Sequence, residues 1–284
     1  AGKYGARTAM IDSIGDDMVG RHILDDFEKY NVNTDAIQVE CGAKSGVATI
    51  LVKHSTGERA VFFERSTARE PAFLDAHKRL INGSMILHIN GRHRTLMRAA
   101  MDVAKEVGTI ISLDGGAQRY DEDMKPITEA SHIVIVARDY AEKYTGTTNL
   151  EDACRIIHER GACIAGVTDG ANGSYFMWPD GTSYRCKPFP QEAVVDTTGA
   201  GDSFHGAFLA KLSNVLHSES AKVSLTNAVQ GDTSLCAVEL LKGCAHSDLE
   251  KAAIFASAVA SLNTQGIGGR SPLPTLKSVQ ELIG

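Results

Sequence analysis

Short apolar runs alternate with one-sided apolar stripes through the middle of the chain. Residues 84–89, 109–113, 132–136 and 163–167 are largely apolar and of strand length. Between them, residues 95–107, 122–130 and 150–160 carry their apolar positions at helical spacing. Strands that are hydrophobic on both faces, separated by amphipathic helices, predict a mainly parallel sheet covered by helices on both sides.

Flanking segments add smaller elements. Residues 8–14 read as a strand, and Ile14-Gly15-Asp16-Asp17-Met18-Val19-Gly20 then turns into a helix over 21–30. Residues 1–7 read as the tail of a helix, so the pattern opens in the middle of a unit. Strand-like residues 47–52 and 60–63 join across Ser55-Thr56-Gly57-Glu58-Arg59 as a hairpin. A second hairpin pairs 175–178 with 182–186 around Pro179-Asp180-Gly181. A helix opens at Ser203, and an alanine-rich helix over 248–262 is suited to close packing. Residues 213–245 between them read as an insertion, helical over 234–241.

A chain of 284 residues, 43% hydrophobic and 23% charged, suits one large domain, alone or with a small accessory. Its net charge of −6 and scattered Lys and Arg argue against a nucleic-acid groove. No apolar run reaches membrane-spanning length and no signal-peptide pattern opens the chain. Six dispersed cysteines without a C-x-x-C pair or a Cys/His cluster fit a reducing cytoplasm, with Cys154 and Cys163 as small core residues.

In sheets of this kind, ligands bind beyond the carboxyl ends of the strands. Polar and glycine residues gather at each such end: Asn90-Gly91-Arg92-His93-Arg94, Asp114-Gly115-Gly116, Ala137-Arg138-Asp139, and Thr168-Asp169-Gly170 with Gly173. The richest stretch is Val194-Val195-Asp196-Thr197-Thr198-Gly199-Ala200-Gly201-Asp202-Ser203-Phe204-His205. Glycines at a strand-to-helix junction let amides converge on a helix N-terminus, a natural phosphate site. A carboxylate at Asp202 would repel a merely bound phosphate. It suits a base that takes the proton from a hydroxyl attacking that phosphate. An ordinary capped turn explains each residue singly but not the whole string. His205 is read either as touching the site or as packed against a neighbour.

Asp196-Thr197-Thr198-Gly199-Ala200-Gly201-Asp202 resembles the C-terminal signature of the ribokinase-like (PfkB-type) carbohydrate kinases. That resemblance implies a ribokinase-like three-layer α/β/α domain over residues 1–284, with a mainly parallel central sheet and a small β lid at about 45–65. It implies ATP and Mg²⁺ as cofactors and a sugar as acceptor. It makes Asp202 the general base, with the amides of Gly199, Ala200 and Gly201 forming the anion hole. Gly15-Asp16-Asp17…Gly20 and Asn31-Val32-Asn33-Thr34 resemble two further family segments. In such kinases a first strand, a sugar-binding Asp and a Gly-Gly loop come before the point where residue 1 falls. The lid often forms a dimer contact.

Other parts of the site follow from the same likeness. Thr168-Asp169-Gly170-Ala171-Asn172-Gly173-Ser174 resembles the family's nucleotide-covering loop, implying ATP contacts at Thr168, Gly170 and Gly173. Ala256, Ala260, Asn263 and Gly268 would wall the adenine. Asn90-Gly91-Arg92-His93 resembles a ketohexokinase stretch, in which Arg92 either reaches the β/γ-phosphates or makes a surface ion pair. Asp114 either orients a magnesium-bound water or the sugar, or caps the next segment. Asp196, Thr198 and Ser271 stand where some relatives bind a monovalent cation, which suggests K⁺.

The family's Asn-x-x-Glu pattern is replaced here by Ala137-Arg138-Asp139-Tyr140-Ala141-Glu142, with Asp139 or Glu142 as candidate substitutes at magnesium. The pattern is nearest the ketohexokinase and sulfofructose-kinase branch, so the expected acceptor is a ketose. A nucleoside or sugar-phosphate kinase is the enzymatic alternative, kept open by Arg59, Arg65 and Arg69 near the lid. A non-catalytic sensor is the other, and Asp202 argues against it.

Overall fold

A computed structural model describes residues 1–52, 59–230 and 237–284. A 3-10 turn, Gly2–Tyr4, stands where the sequence suggested a helix tail. Strand β1 (Thr8–Gly15) then leads into helix α1 (Met18–Lys29). Asp17 caps that helix, accepting from the Gly20 N–H at 2.8 Å. The chain returns along β2 (Val32–Glu40), parallel to β1. Polar residues at Asn33, Asp35 and Gln38 hid this strand from an apolar-run reading. Strands β3 (Val47–Val52) and β4 (Arg59–Glu64) pair antiparallel as the expected ribbon. Residues 55–58 of its turn lie outside the described residues.

Helix α2 (Asp75–Asn82) opens the regular part, a short element that the periodicity left unmarked. Then follow β5 (Ile86–Ile89), α3 (Arg94–Val107), β6 (Ile110–Gly115), α4 (Lys125–Glu129), β7 (Ile133–Ala137), α5 (Arg138–Thr145), α6 (Leu150–Glu159) and β8 (Ile164–Thr168). The chain continues into β9 (Ser174–Met177) and β10 (Ser183–Cys186), an antiparallel hairpin. These six strands make one sheet in the order β10-β9-β8-β7-β6-β5, parallel from β5 to β8. Its carboxyl ends therefore point the same way, toward the loops that carry the candidate chemistry.

Helices α7 (Ala200–Gln230), α8 (Ala237–Gly243), α9 (His246–Asn263) and α10 (Leu276–Ile283) complete the chain. Strand alternation sorts the core into two halves. Ile110, Ile133, Ile135 and Phe176 face one way and pack on Phe204, Phe208, Ala252 and Ala256 of α7 and α9. Ile111, Leu113, Val134 and Val136 face the other way and meet Met97, Met101, Tyr140 and Ile157. Cys154 and Cys163 are buried in these halves, as their positions suggested.

The stretch 213–245, expected as an insertion, is partly helical and partly core. Helix α7 runs unbroken past Ser213 to Gln230, and Leu216, Leu240 and Leu241 are core residues. Leu216 continues the buried face of α7 that carries Phe208 and Leu212. The expected helix over 234–241 is found from Ala237, and residues 231–236 lie outside the described residues.

Candidate functional site at the start of helix α7

The turn ahead of α7 is built by a buried carboxylate. Asp196, 4% exposed, accepts from the Thr198 N–H through Oδ1 at 2.8 Å and from the Gly268 N–H through Oδ2 at 2.9 Å. The Val195 N–H and Asp196 N–H both donate to the Thr264 carbonyl, at 2.8 and 3.1 Å. Asn263, fully buried, donates through Nδ2 to the Thr198 carbonyl at 3.3 Å. The 196–199 turn and the 263–268 segment are thus stitched together from both sides.

Gly199 lies in the left-handed region at φ 73° and touches the same loop. Only a residue without a Cβ combines that angle with this approach. The chain then enters α7, whose first turn carries Gly201 and an exposed Asp202. First-turn N–H groups have no acceptor within their own helix. Of the expected trio, the Ala200 N–H is aimed at the Thr197 carbonyl at 3.3 Å, a long bond. The Asp202 side chain is accessible to solvent in this turn.

One turn further along α7, His205 is buried at 5% exposure. Its Nε2 lies 3.2 Å from Oδ1 of Asp114, the penultimate residue of β6. Burial pushes the Asp114 carboxyl up, but the charges of His205, His88 and Arg119, with the His205 hydrogen bond, pull harder and hold it at about 2. Asp114 is only 6% exposed, so it supports the site from beneath and does not line an open acceptor pocket. The sequence carried a faint signal for this pair: His205 follows Asp202 by one helical turn.

The nucleotide-side candidates divide. Thr168 ends β8, and the 168–174 loop closes on itself through the Asp169 N–H to Gly173 carbonyl bond at 2.8 Å. Gly173 has φ 90°, and a Cβ there would lie 2.3 Å from the Cys186 carbonyl oxygen. Gly170 is exposed at the loop's outer side. Ala256 and Asn263, in contrast, are 0% exposed. Ala256 packs in the core and Asn263 holds the Thr198 carbonyl, so neither presents the open adenine wall expected of them. Ala260 is partly buried, while Gly268 donates to Asp196 and Ser271 is exposed.

Arg92 stands after β5, its side chain 54% exposed, with Nη2 3.5 Å from Asp12 Oδ1. The same carboxylate oxygen meets His93 Nε2 at 2.7 Å, an unforeseen link from β1 to the start of α3. With about half of its side chain accessible, Arg92 leaves the phosphate and ion-pair readings both open.

The residues replacing Asn-x-x-Glu are committed elsewhere. Tyr140 is 1% exposed and shares a 2.7 Å hydrogen bond with Thr128. Asp139 accepts from the Gln118 N–H at 2.6 Å. Arg138 binds both Asp169 oxygens at 3.0 and 2.8 Å and Glu142 at 3.1 Å. Among the described residues no cluster of three His, Cys, Asp or Glu side chains could hold a metal. A protein-held magnesium cage therefore does not fit this segment. The cation candidates fare better: Thr198 Oγ1 and Asn263 Oδ1 are buried oxygens without a hydrogen-bond partner beside Asp196. On the lid side, Arg69 is taken by Glu40 at 2.8 Å and Arg65 is exposed. The Arg59 side chain lies outside the described residues.

Comparison with known proteins places the chain among characterised folds and families. A family model described as pfkB family carbohydrate kinase matches residues 1–276. Probable fructokinase-5 from Arabidopsis thaliana is 28% identical, over 99% of this chain and 84% of that protein. Among solved structures, a putative ribokinase II from E. coli in complex with ATP and Mg²⁺ matches with TM-score 0.75 at 19% identity, covering 99% of this chain and 84% of that one. Fructokinase from Vibrio cholerae O395, in a fructose, ADP and calcium ion bound form, matches with TM-score 0.72 at 18% identity, covering 100% and 87%. The fold is ribokinase-like, as the motif implied.

Proposed function

Because the chain belongs to the pfkB family of carbohydrate kinases and is a sugar kinase, we propose that it moves the γ-phosphoryl group of ATP onto a primary hydroxyl of a ketose. Asp202 is the general base. The observation that carries this reading is the exposed Asp202 carboxylate in the first turn of α7, directly after the 199–201 turn. In the reaction, the acceptor oxygen bonds to the γ-phosphorus as the bond to the β–γ bridging oxygen breaks. The hydroxyl proton passes to Asp202, and ADP departs.

The helix N-terminus and the amides of Gly199 and Gly201 face the charge that develops on the transferred group, and Arg92 adds a mobile cation. Magnesium bound to nucleotide phosphates and water would supply further neutralisation and needs few protein ligands. The orphaned oxygens of Thr198 and Asn263, with Asp196, fit a monovalent cation such as K⁺, and Ser271 sits on the adjoining loop. Thr168, Gly170 and Gly173 form the nucleotide loop.

A ketose is supported by the fructokinase relative and by the ketohexokinase-like stretch at Arg92. A phosphorylated acceptor is less well supported, since Arg69 is already paired with Glu40. The β3–β4 ribbon exposes apolar side chains on both faces: Val47, Leu51 and Phe62 on one, Val61 and Phe63 on the other. An isolated two-stranded ribbon of this kind needs a partner surface. A second copy of the chain fits it, giving a homodimer through the lid. Among the described residues no helix is long and apolar enough to cross a membrane. Dispersed cysteines favour a cytoplasmic setting.

The test is ATP turnover across a panel of ketoses, aldoses, nucleosides and sugar phosphates, with Asp202→Asn in parallel. Preferred turnover of a ketose, lost in Asp202→Asn, is the expected result. Turnover of a nucleoside or a sugar phosphate in preference overturns the acceptor, and full activity in the variant overturns the base.

A further inference from the structure

Beneath the exposed first turn of α7 lies a polar cluster that phosphoryl transfer, as described above, does not use. Alternation along β6 puts Ile110, Ser112 and Asp114 on the face toward α7, and Ile111 and Leu113 on the other. The β5–β6 register places His88 beside Ser112, and His88 Nδ1 and Ser112 Oγ share a hydrogen bond of 3.1 Å. The His88 and His205 rings lie 5.5 Å apart. His205 then closes the set onto Asp114 at 3.2 Å, with side chains 6% and 9% exposed. A buried carboxylate is a costly device, and apolar residues of similar volume would serve stability as well or better. What such a pair adds is direction.

That direction matters because of where His205 sits. It follows Asp202 by three residues, which in an α-helix is the same side, about one turn further on. The other sheet-facing side chains of these turns, Phe204, Ala207 and Phe208, are apolar and fully or nearly buried. Such contacts are non-directional, so a polar contact to β6 adds a defined orientation to the one the packing gives. A rotation of about 10° moves a group at the helix rim by roughly 1 Å. Misplacement on that scale costs on the order of 10²-fold in rate when it disturbs the reacting geometry.

We propose that His205 is a positioning residue: its Nε2–H donates to Asp114 Oδ1 and so fixes the rotation of α7 that aims Asp202 at the acceptor hydroxyl. The inference rests on Asp202 acting as the base. Nε2 lies 3.2 Å from the carboxylate, while Nδ1 is buried without a hydrogen-bond partner. The interaction thus runs through one nitrogen, which sets the choice of variants. Glutamine can bring an N–H near the Nε2 position, whereas asparagine is too short.

The experiment compares His205→Gln, His205→Asn, His205→Ala and Asp202→Asn in steady-state kinetics with ATP and the best acceptor, alongside thermal melting. Expected are a kcat loss on the order of 10²-fold in His205→Ala and His205→Asn, a nucleotide KM within about twofold of wild type, and recovery of most of kcat in His205→Gln. If His205→Ala does not fold, the Gln and Asn variants carry the same comparison. Equal kcat in the Gln and Asn variants, or a loss confined to KM, overturns the positioning role. Asp202→Asn separates the two claims: its retention of full turnover removes the base itself, whatever His205 does. Its loss together with an unaffected His205→Asn removes only the positioning role.

Discussion

Gly199 and Gly269 approach so closely that a Cβ on Gly199 would lie 2.6 Å from the Gly269 Cα. Gly199 also has φ 73°, where any other residue is strained. Alanine there forces the motif turn away from the 264–269 loop. Gly199→Ala is expected to cost about 1–3 kcal/mol of stability and to depress kcat. Urea denaturation with activity assays checks this, and wild-type behaviour in both contradicts the close-approach argument.

Replacing the proposed base should act on chemistry alone. Asp202 is exposed and forms no part of the core, so Asp202→Asn should leave melting unchanged while lowering kcat on the order of 10²–10⁴-fold. Nucleotide affinity, measured by calorimetry, should stay near wild type.

Acid should loosen the joint between β6 and α7. The Asp114 carboxyl, ordinarily near 3.8, sits at about 2 in the folded protein. A depressed carboxyl stabilises the fold fully above its ordinary value, and that contribution disappears as pH falls through the folded value. The contribution near neutral pH is about 2 kcal/mol. Asp114→Asn should therefore lose more stability near neutral pH than near pH 2, as measured by denaturant midpoints at about those two conditions. An equal loss at both contradicts the assignment.

Polar substitution on the lid ribbon should act on assembly. Phe62 and Phe63 are 61% and 64% exposed on opposite faces of β4. Phe62→Ser with Phe63→Ser should shift sedimentation from dimer to monomer with little change in melting. A wild-type monomer at all accessible concentrations would contradict the lid-contact reading.

Core truncation gives the opposite signature. Phe208 is fully buried and stacks on Phe176 with ring centroids 5.7 Å apart. Phe208→Ala should cost about 3–5 kcal/mol, seen in chemical denaturation.

The sheet strands β5 to β8 and the hairpin β9–β10 were legible because buried strands must be apolar and tight turns need Asp-Gly. Strand β2 was not, since its polar residues give it no apolar run to recognise. Helices α2 and α5 were missed because eight residues hold too few turns for a clear period. At the site, the Asp196–Asp202 string announced itself through residue types that few other structures need together. Pairings such as His205 with Asp114, Arg138 with Asp169 and Asp12 with His93 join residues far apart in sequence, and no local pattern encodes them. Ala256 shows the reverse failure: small residues on a helix fit a ligand wall and a tight helix crossing equally well.

The two oxygens of Asp196 have a mechanical consequence. By accepting from the turn that enters α7 and from a distant loop at once, that carboxylate ties the two segments beside the candidate site together. A displacement of the 264–269 loop should therefore carry the start of α7 with it.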